Sequence, residues 1–329
     1  MKVQQIIGAD LSKRTIDLYC HLQNKHVRID NNSAGFKSML EWFKHNGINP
    51  LQTVVVMEHT GLYSYVFEDF LSRHQLIYTK VNALEIKRSM GLIRGKNDKV
   101  DAARIACYGY EKKEKLTIQP PADPSMKRLQ MLYSTRQRLV KQRAALLVAI
   151  KEYKQIGIRQ NDIVITSQLQ VSKTLDKQII RLDQEMESII DNQPPLKQNF
   201  GLLQSIKGVG KVIALATIIK TNNFTRFANA RKFACYCGTA PFEHSSGTSL
   251  KRKARVSHLA DKQMKTLLDL SAKTAIQYDK ELKEFYQRRT ESGKSKMSTI
   301  NIVRNKIVYR MFAVIKRQTP FVEDYLQTA

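Results

Sequence analysis

The sequence predicts an α/β domain over residues 1–116, a helical arm over 125–192 and a mainly helical domain over 196–329. Three observations predict it. Up to residue 116, short apolar runs alternate with amphipathic stretches, as strands and helices do when taken in turn. From 125 to 192, apolar residues recur three and four apart. Beyond 196 the helical spacing continues in a strongly basic background.

The elements follow in order. Val3–Ala9 is an apolar run of strand length. Thr15–Leu22 puts Ile16, Leu18 and Cys20 on one face and Thr15, Asp17 and Tyr19 on the other, which is strand periodicity. The turn Asp10-Leu11-Ser12-Lys13 makes these two a hairpin. His26–Ile29 is a short third strand, and Ser33–His45 a helix with Phe36, Met39, Leu40 and Phe43 on its apolar face. Pro50 punctuates before the strand Val54–Met57, and Tyr63–His74 is a helix. Leu76–Val81 is a strand and Asp98–Gly109 a helix. Hairpin, third strand, helix, parallel strand, helix, strand is the order of a ribonuclease-H-like domain. In the arm, Leu175, Ile179, Leu182, Met186 and Ile189 are spaced four, three, four and three, a heptad seam. Met126, Leu129, Tyr133, Val140, Leu147 and Ile150 form a stripe before it, interrupted by Arg136 and Arg143. Two helices packed within one chain and a coiled-coil arm joining two chains fit this spacing equally. Asn192-Gln193-Pro194-Pro195 closes the segment.

Composition names a partner class. Lys and Arg number 55 against 29 Asp and Glu, a formal net charge of +26. So large a surplus points to a polyanion held through phosphate neutralisation and counterion release. An anionic membrane surface and a ribosomal assembly partner are the plainer alternatives. A hydrophobic fraction of 42% excludes a wholly disordered chain. No apolar run is long enough to span a bilayer, and the first residues run into a strand instead of a signal-peptide core, so an intracellular protein is expected. Cys20, Cys107, Cys235 and Cys237 form no CxxC pair and read as reduced core thiols.

Four acids carry the chemistry. Asp10 and Glu58 each end an apolar run, and Asp98 and Asp101 lie three apart at a helix start, where they share a face. Converging carboxylates repel unless a cation sits between them, and oxygen-only donors suit Mg²⁺ or Mn²⁺. Two strand-end acids and a helical pair are the pattern of a two-metal phosphoryl-transfer site. Taken singly, each acid could be a cap or a surface charge, and Asp98 could cap the helix that holds Asp101. Lys96 and Lys99 flank the acids and could hold a phosphate backbone, while Asp17, Glu68 and Asp69 read as solvated or capping. Further on, Lys207-Gly208-Val209-Gly210-Lys211 lies between two apolar helices and resembles the hairpin of a helix-hairpin-helix DNA-binding motif; a tight interhelical turn is the plainer reading. The loop holding His244, Ser245, Ser246 and Gly247 precedes the basic residues Lys251, Arg252, Lys253 and Arg255. A serine attacking phosphate needs nearby cations, although a polar turn followed by a solvated face explains the same residues.

In order and spacing these residues resemble DEDD-type insertion-sequence transposases, the group that includes the Piv DNA invertase and bridge-RNA-guided recombinases. Gly8-Ala9-Asp10-Leu11-Ser12-Lys13, Met57-Glu58-His59-Thr60-Gly61-Leu62-Tyr63 and Lys96-Asn97-Asp98-Lys99-Val100-Asp101-Ala102 are similar to that family's three N-terminal blocks. Ile206-Lys207-Gly208-Val209-Gly210, Tyr236-Cys237-Gly238-Thr239-Ala240-Pro241 and Ser245-Ser246-Gly247 continue the match. The resemblance implies a RuvC-like domain, a coiled-coil dimerisation segment and a transposase domain with a nucleophilic serine. It implies Asp10, Glu58, Asp98 and Asp101 as ligands of Mg²⁺, with Mn²⁺ as the alternative ion, and Ser246 as nucleophile, with Ser245 beside it. It further implies DNA and a structured noncoding guide RNA as partners, a homo-oligomer (dimer or tetramer), no membrane, and a cytoplasmic, nucleoid-associated place of action. The chain departs from the family at His258-Leu259-Ala260-Asp261-Lys262, where a glycine is usual near the start of the next helix. The rivals are an invertase of the same family, a Holliday-junction-resolvase-like nuclease using water, and a basic nucleic-acid-binding scaffold without activity.

Overall fold

A computed structural model describes residues 4–59, 61–91, 97–118, 123–246 and 250–323, without the side chains of residues 62, 244–246 and 250–253. The chain divides into two compact units, Met1–Ala122 and Asp123–Ala329.

In the first unit, strands β1 (Gln5–Leu11), β2 (Thr15–Cys20), β3 (Lys25–Asp30), β4 (Thr53–Glu58) and β5 (Ile77–Val81) form one sheet in the order β3-β2-β1-β4-β5. β1 runs antiparallel to β2 and parallel to β4. The hairpin, third strand and parallel pair expected from the sequence are therefore present, and this mixed α/β unit fits a ribonuclease-H-like domain. β4 is buried along its length apart from Glu58, as a central parallel strand covered on both faces must be. Helices α1 (Ser33–His45) and α2 (Tyr65–Arg73) supply Phe36, Met39, Phe43, Phe67 and Leu71 to the core on one face. On the other face Ile105 and Tyr108 of α4 (Asp98–Glu111) pack with Ile6, Val54 and Val56. A short helix α3 (Ala83–Ser89), not anticipated from the sequence, precedes the segment leading to α4.

Two glycines set how closely α4 lies on the sheet. A Cβ on Gly8 would stand 2.2 Å from the Ala102 carbonyl oxygen, and one on Gly109 would stand 2.7 Å from Val56 Cγ2. At Gly8 backbone thus rests against backbone, where no side chain can move aside, whereas Gly109 lies against the side chains of Val56 and Ile6. We expect Gly8→Ala to cost roughly 2–3 kcal/mol through overpacking. Unfolding in urea measures this, and a change within experimental error would show that α4 shifts freely.

Two acids differ from their sequence reading. Asp17 is not solvated: it is 2% exposed and paired with His26 and Arg28. Glu68 is 3% exposed, accepts from Ser64 Oγ at 2.6 Å and pairs with Lys80 at 3.0 Å. Both are buried because a cation from a neighbouring element meets them there. Asp69 is solvent-facing, in an ion pair with Arg73.

The second unit begins with two long helices, α5 (Pro124–Gln155) and α6 (Ile163–Asp191). Arg136 pairs with Asp183 and Arg143 with Asp176. The partners step seven residues in opposite directions, so the helices are antiparallel, and the arginines that interrupt the apolar stripe meet acids one heptad apart. Met126, Leu129, Leu132, Tyr133, Met186 and Ile190 share the core of the following helices. These are α7 (Pro194–Gln204), α8 (Lys211–Thr221), α9 (Ala230–Tyr236), α10 (Lys262–Tyr278), α11 (Lys280–Glu291) and α12 (Lys296–Arg317). Between α9 and α10 the chain forms an antiparallel ribbon of β6 (Pro241–Ser246) and β7 (Leu250–Val256). The sequence reading of this stretch as a loop and a basic run is corrected: Ser245 and Ser246 end one strand, and Lys251, Arg252, Lys253 and Arg255 lie in its partner. Cys20 and Cys237 are buried, Cys107 and Cys235 half-buried, and all four are free thiols. Among the described residues no helix is long and apolar enough to cross a membrane.

Candidate active site

The sheet and α4 gather the acids of the first unit. β1 extends to Leu11, which places Asp10 within the strand, opposite Asp17 of β2. Glu58 ends the adjacent parallel strand β4. Because Gly8 lets α4 lie directly on β1, the first turn of α4 brings Asp98 and Asp101 near Asp10. Asn97, not Asp98, caps this helix, accepting from the Val100 amide at 2.8 Å. Both aspartates are thus spared for other work.

The other acids act electrostatically on Asp10. Burial, together with the charges of Asp101, Asp98, Glu58 and Asp17, pushes the Asp10 carboxyl from its ordinary 3.8 up to about 6. Carboxylates distant in sequence act on one group, as a cation site requires. Arginines meet part of this charge. Arg28 Nη2 donates to Asp98 Oδ2 at 2.9 Å, and Arg104 Nη1 donates to Asp101 Oδ1 at 2.8 Å. Among the described residues no three His, Cys, Asp or Glu side chains stand together at ligating distance. The donor set is carboxylate oxygen throughout, and the raised Asp10 shows negative charge still to be offset. On both counts the residues fit a hard divalent cation. Asp17 was set aside as solvated or capping and Arg28 was not named from the sequence; their cross-strand register, Asp17 opposite Arg28, was the available signal. Lys99 is exposed on α4, and Lys96 lies outside the described residues.

In the second unit, the Gly-Val-Gly turn joins α7 to α8 as the sequence predicts. Gly208 has φ +86°, and its missing Cβ is replaced by the Ser271 carbonyl oxygen, 2.5 Å from where that carbon would be. The hydroxyl of Ser271 donates to the Gly208 carbonyl at 2.6 Å. Close packing on α10 therefore explains Gly208, whereas Gly210 begins α8 in open space. Lys207 pairs with Glu323 and Lys211 with Glu187, all with exposed side chains.

The base of the β6–β7 ribbon is clamped. Gly238, at φ +66°, lies against Ala260, where an added Cβ would approach to 2.6 Å. Asp261 caps α10 through the Met264 amide, accepts from the Tyr236 hydroxyl at 2.7 Å and pairs with Lys220 at 2.8 Å. Burial pushes the Asp261 carboxyl up, but these partners outweigh it and hold it below its ordinary value. In the ribbon Ser246 is opposite Leu250, Ser245 opposite Lys251 and His244 opposite Arg252. The side chains of Ser245, Ser246, Lys251, Arg252 and Lys253 lie outside the described residues, and Arg255 is exposed.

Two family models match the chain. One, described as a transposase and of the DEDD type associated with IS110, covers residues 7–153, including all four acids. The other, the transposase IS116/IS110/IS902 family, covers residues 201–287, including the glycine turn and the ribbon. The pilin gene-inverting protein of Moraxella bovis is 27% identical over 96% of this chain and 97% of its own length. That of Moraxella lacunata matches to the same extent. An uncharacterised 43.6 kDa protein of insertion element IS110 from Streptomyces coelicolor is 25% identical over 48% of this chain and 38% of its own length.

Proposed function

We propose that this chain, a member of the DEDD transposase family of IS110-type insertion elements, recombines DNA with four carboxylates and a serine nucleophile. It is a DNA-cleaving and rejoining enzyme, with DNA as its partner. One observation supports the site: burial, and with it the charges of Asp101, Asp98 and Glu58, raises the carboxyl of Asp10.

Asp10, Glu58, Asp98 and Asp101 would hold Mg²⁺, with Mn²⁺ as the alternative. Bound there, the ion offsets charge on the scissile phosphate and its oxygens. Ser246 Oγ attacks phosphorus: a serine–phosphate ester forms, the bond to one DNA oxygen breaks, the serine proton leaves to solvent, and the released DNA oxygen takes up a proton. The ester conserves the broken linkage for rejoining. The carboxylates belong to the first unit and the serine to the second.

A structured noncoding guide RNA rests on the family resemblance alone, since the surplus of 26 positive charges suits DNA and RNA equally. The helical arm supports self-association, because Val148, Val171 and Ile180 are exposed along α5 and α6. Similarity to two inverting proteins over nearly the whole chain favours inversion as a second outcome of the same chemistry.

The test uses purified protein, Mg²⁺, the flanking RNA and DNA spanning the element junction. A denaturant-resistant protein–DNA adduct is expected, absent when EDTA removes the ion and restored by excess Mg²⁺. Cleavage without an adduct would move the nucleophile from serine to water, and binding without cleavage would leave only a scaffold.

A further inference from the structure

We propose that Arg28 is the phosphate-gripping residue of the carboxylate site, held on Asp98 until a cation claims that carboxylate. The proposal rests on the metal reading above. Arg28 Nε donates to both oxygens of Asp17, at 3.1 and 3.0 Å. Asp17 is 2% exposed, is fixed in register between Asp10 and Arg28, and also meets His26 Nε2 at 2.7 Å. The root of the guanidinium is thus tied to an acceptor that cannot swing. Its far edge is held differently. Nη2 donates to Asp98, whose side chain is 61% exposed.

The two halves of this bridge differ in strength. An exposed ion pair contributes little and is readily exchanged, whereas stripping partners from a buried carboxylate is costly. A cation that takes Asp98 therefore displaces Nη2 and leaves Nε on Asp17. What remains is a guanidinium edge at the rim of the carboxylate cluster, with donors in the planar fork that fits phosphate two-pronged. Arg28 also serves the metal-free protein, since it offsets charge that Asp98 would otherwise direct at Asp10. A single residue thus alternates between two anions, the carboxylate before metal binding and the phosphate after it.

The full-length protein carries the test, as wild type, Arg28→Ala and Arg28→Lys, with two readouts. The first is melting temperature as Mg²⁺ alone is added. The second is single-turnover cleavage of junction DNA, with the flanking RNA, at saturating Mg²⁺. For Arg28→Ala the Mg²⁺ midpoint is expected at or below the wild-type value, because a competitor for Asp98 is gone. Cleavage is expected to fall about 10²-fold, the effect of losing one preorganised donor. Arg28→Lys keeps the charge but not the fork, and is expected to retain less than about a tenth of the wild-type rate. If Arg28→Ala fails to fold, Arg28→Lys decides the matter by the same readouts. Wild-type cleavage in either variant overturns the proposal, as does a loss that more Mg²⁺ restores, which would make Arg28 a support of the metal site alone. Wild-type melting that ignores Mg²⁺ overturns the metal reading and the role of Arg28 with it.

Discussion

Asp10→Asn is expected to lower strand cleavage by about 10³-fold or more while leaving DNA affinity within about threefold of wild type. The loss follows because Asp10 is where the charges of Asp98, Asp101 and Glu58 converge. Affinity survives because it comes mainly from basic side chains on phosphates, and those are untouched. The same variant carries a second signature. The Asp10 carboxyl titrates near 6 in the folded protein against an ordinary 3.8, so its effect on stability changes across that window. Below about 3.8 the group is neutral, folded or not, and costs nothing. As pH rises through 6, ionisation beside its neighbours costs stability on the order of 1–2 kcal/mol, allowing for solvent screening of a half-buried group. Asp10→Asn should therefore melt above wild type at pH 8 and level with it near pH 4. Equal melting at both pH values would mean that the acids do not act on one another, and retained cleavage would remove Asp10 from the site.

Ser246→Ala is expected to abolish the denaturant-resistant adduct, while Ser245→Ala keeps it. Neighbouring positions of a strand belong to opposite faces, and both serines lie in β6. Gel analysis of each variant with junction DNA decides the matter. An adduct that survives Ser246→Ala and disappears in Ser245→Ala would reassign the nucleophile, and one that survives both would remove the ribbon from the chemistry.

Apart from the short α3, the strand and helix order of the first unit was legible because its elements show as apolar runs or as plain periods of two or three to four, down to the bounds of α1. Asp10, read at a strand end, lies inside β1, but Glu58 at the end of β4 and Asp98 and Asp101 at the start of α4 were legible for the same reason. Asp17 was not. On β2 it falls on the polar side of a regular alternation, and its burial depends on His26 and Arg28 arriving from β3. Register between strands supplies that information, and periodicity within one strand does not. The β6–β7 ribbon escaped notice because Ser245 and Ser246 in one strand and Lys251, Arg252, Lys253 and Arg255 in the other are residues that ordinarily mark turns and solvated faces. Its pairing stands on a clamped base, Gly238 on Ala260 and Tyr236 on Asp261, which lies outside the strands themselves. Within residues 258–262, where the chain departs from the family's pattern, Ala260 packs against Gly238. In the arm, the heptad seam is spent partly at home, since Met186 is fully buried in the core of its own unit.

The α5–α6 pair has a mechanical consequence. At 1.5 Å per residue, the 32 residues of α5 span about 48 Å, yet Met126 to Tyr133, at its first turns, are what sink into the core. The pair is a shaft mounted at one end. A tilt of about 10° at the mounting sweeps the far turn through several ångströms, since displacement grows with distance along a rigid rod. Whatever grips the tip is thus aimed from the base, and small repacking around Leu129 and Met186 becomes a large change of reach.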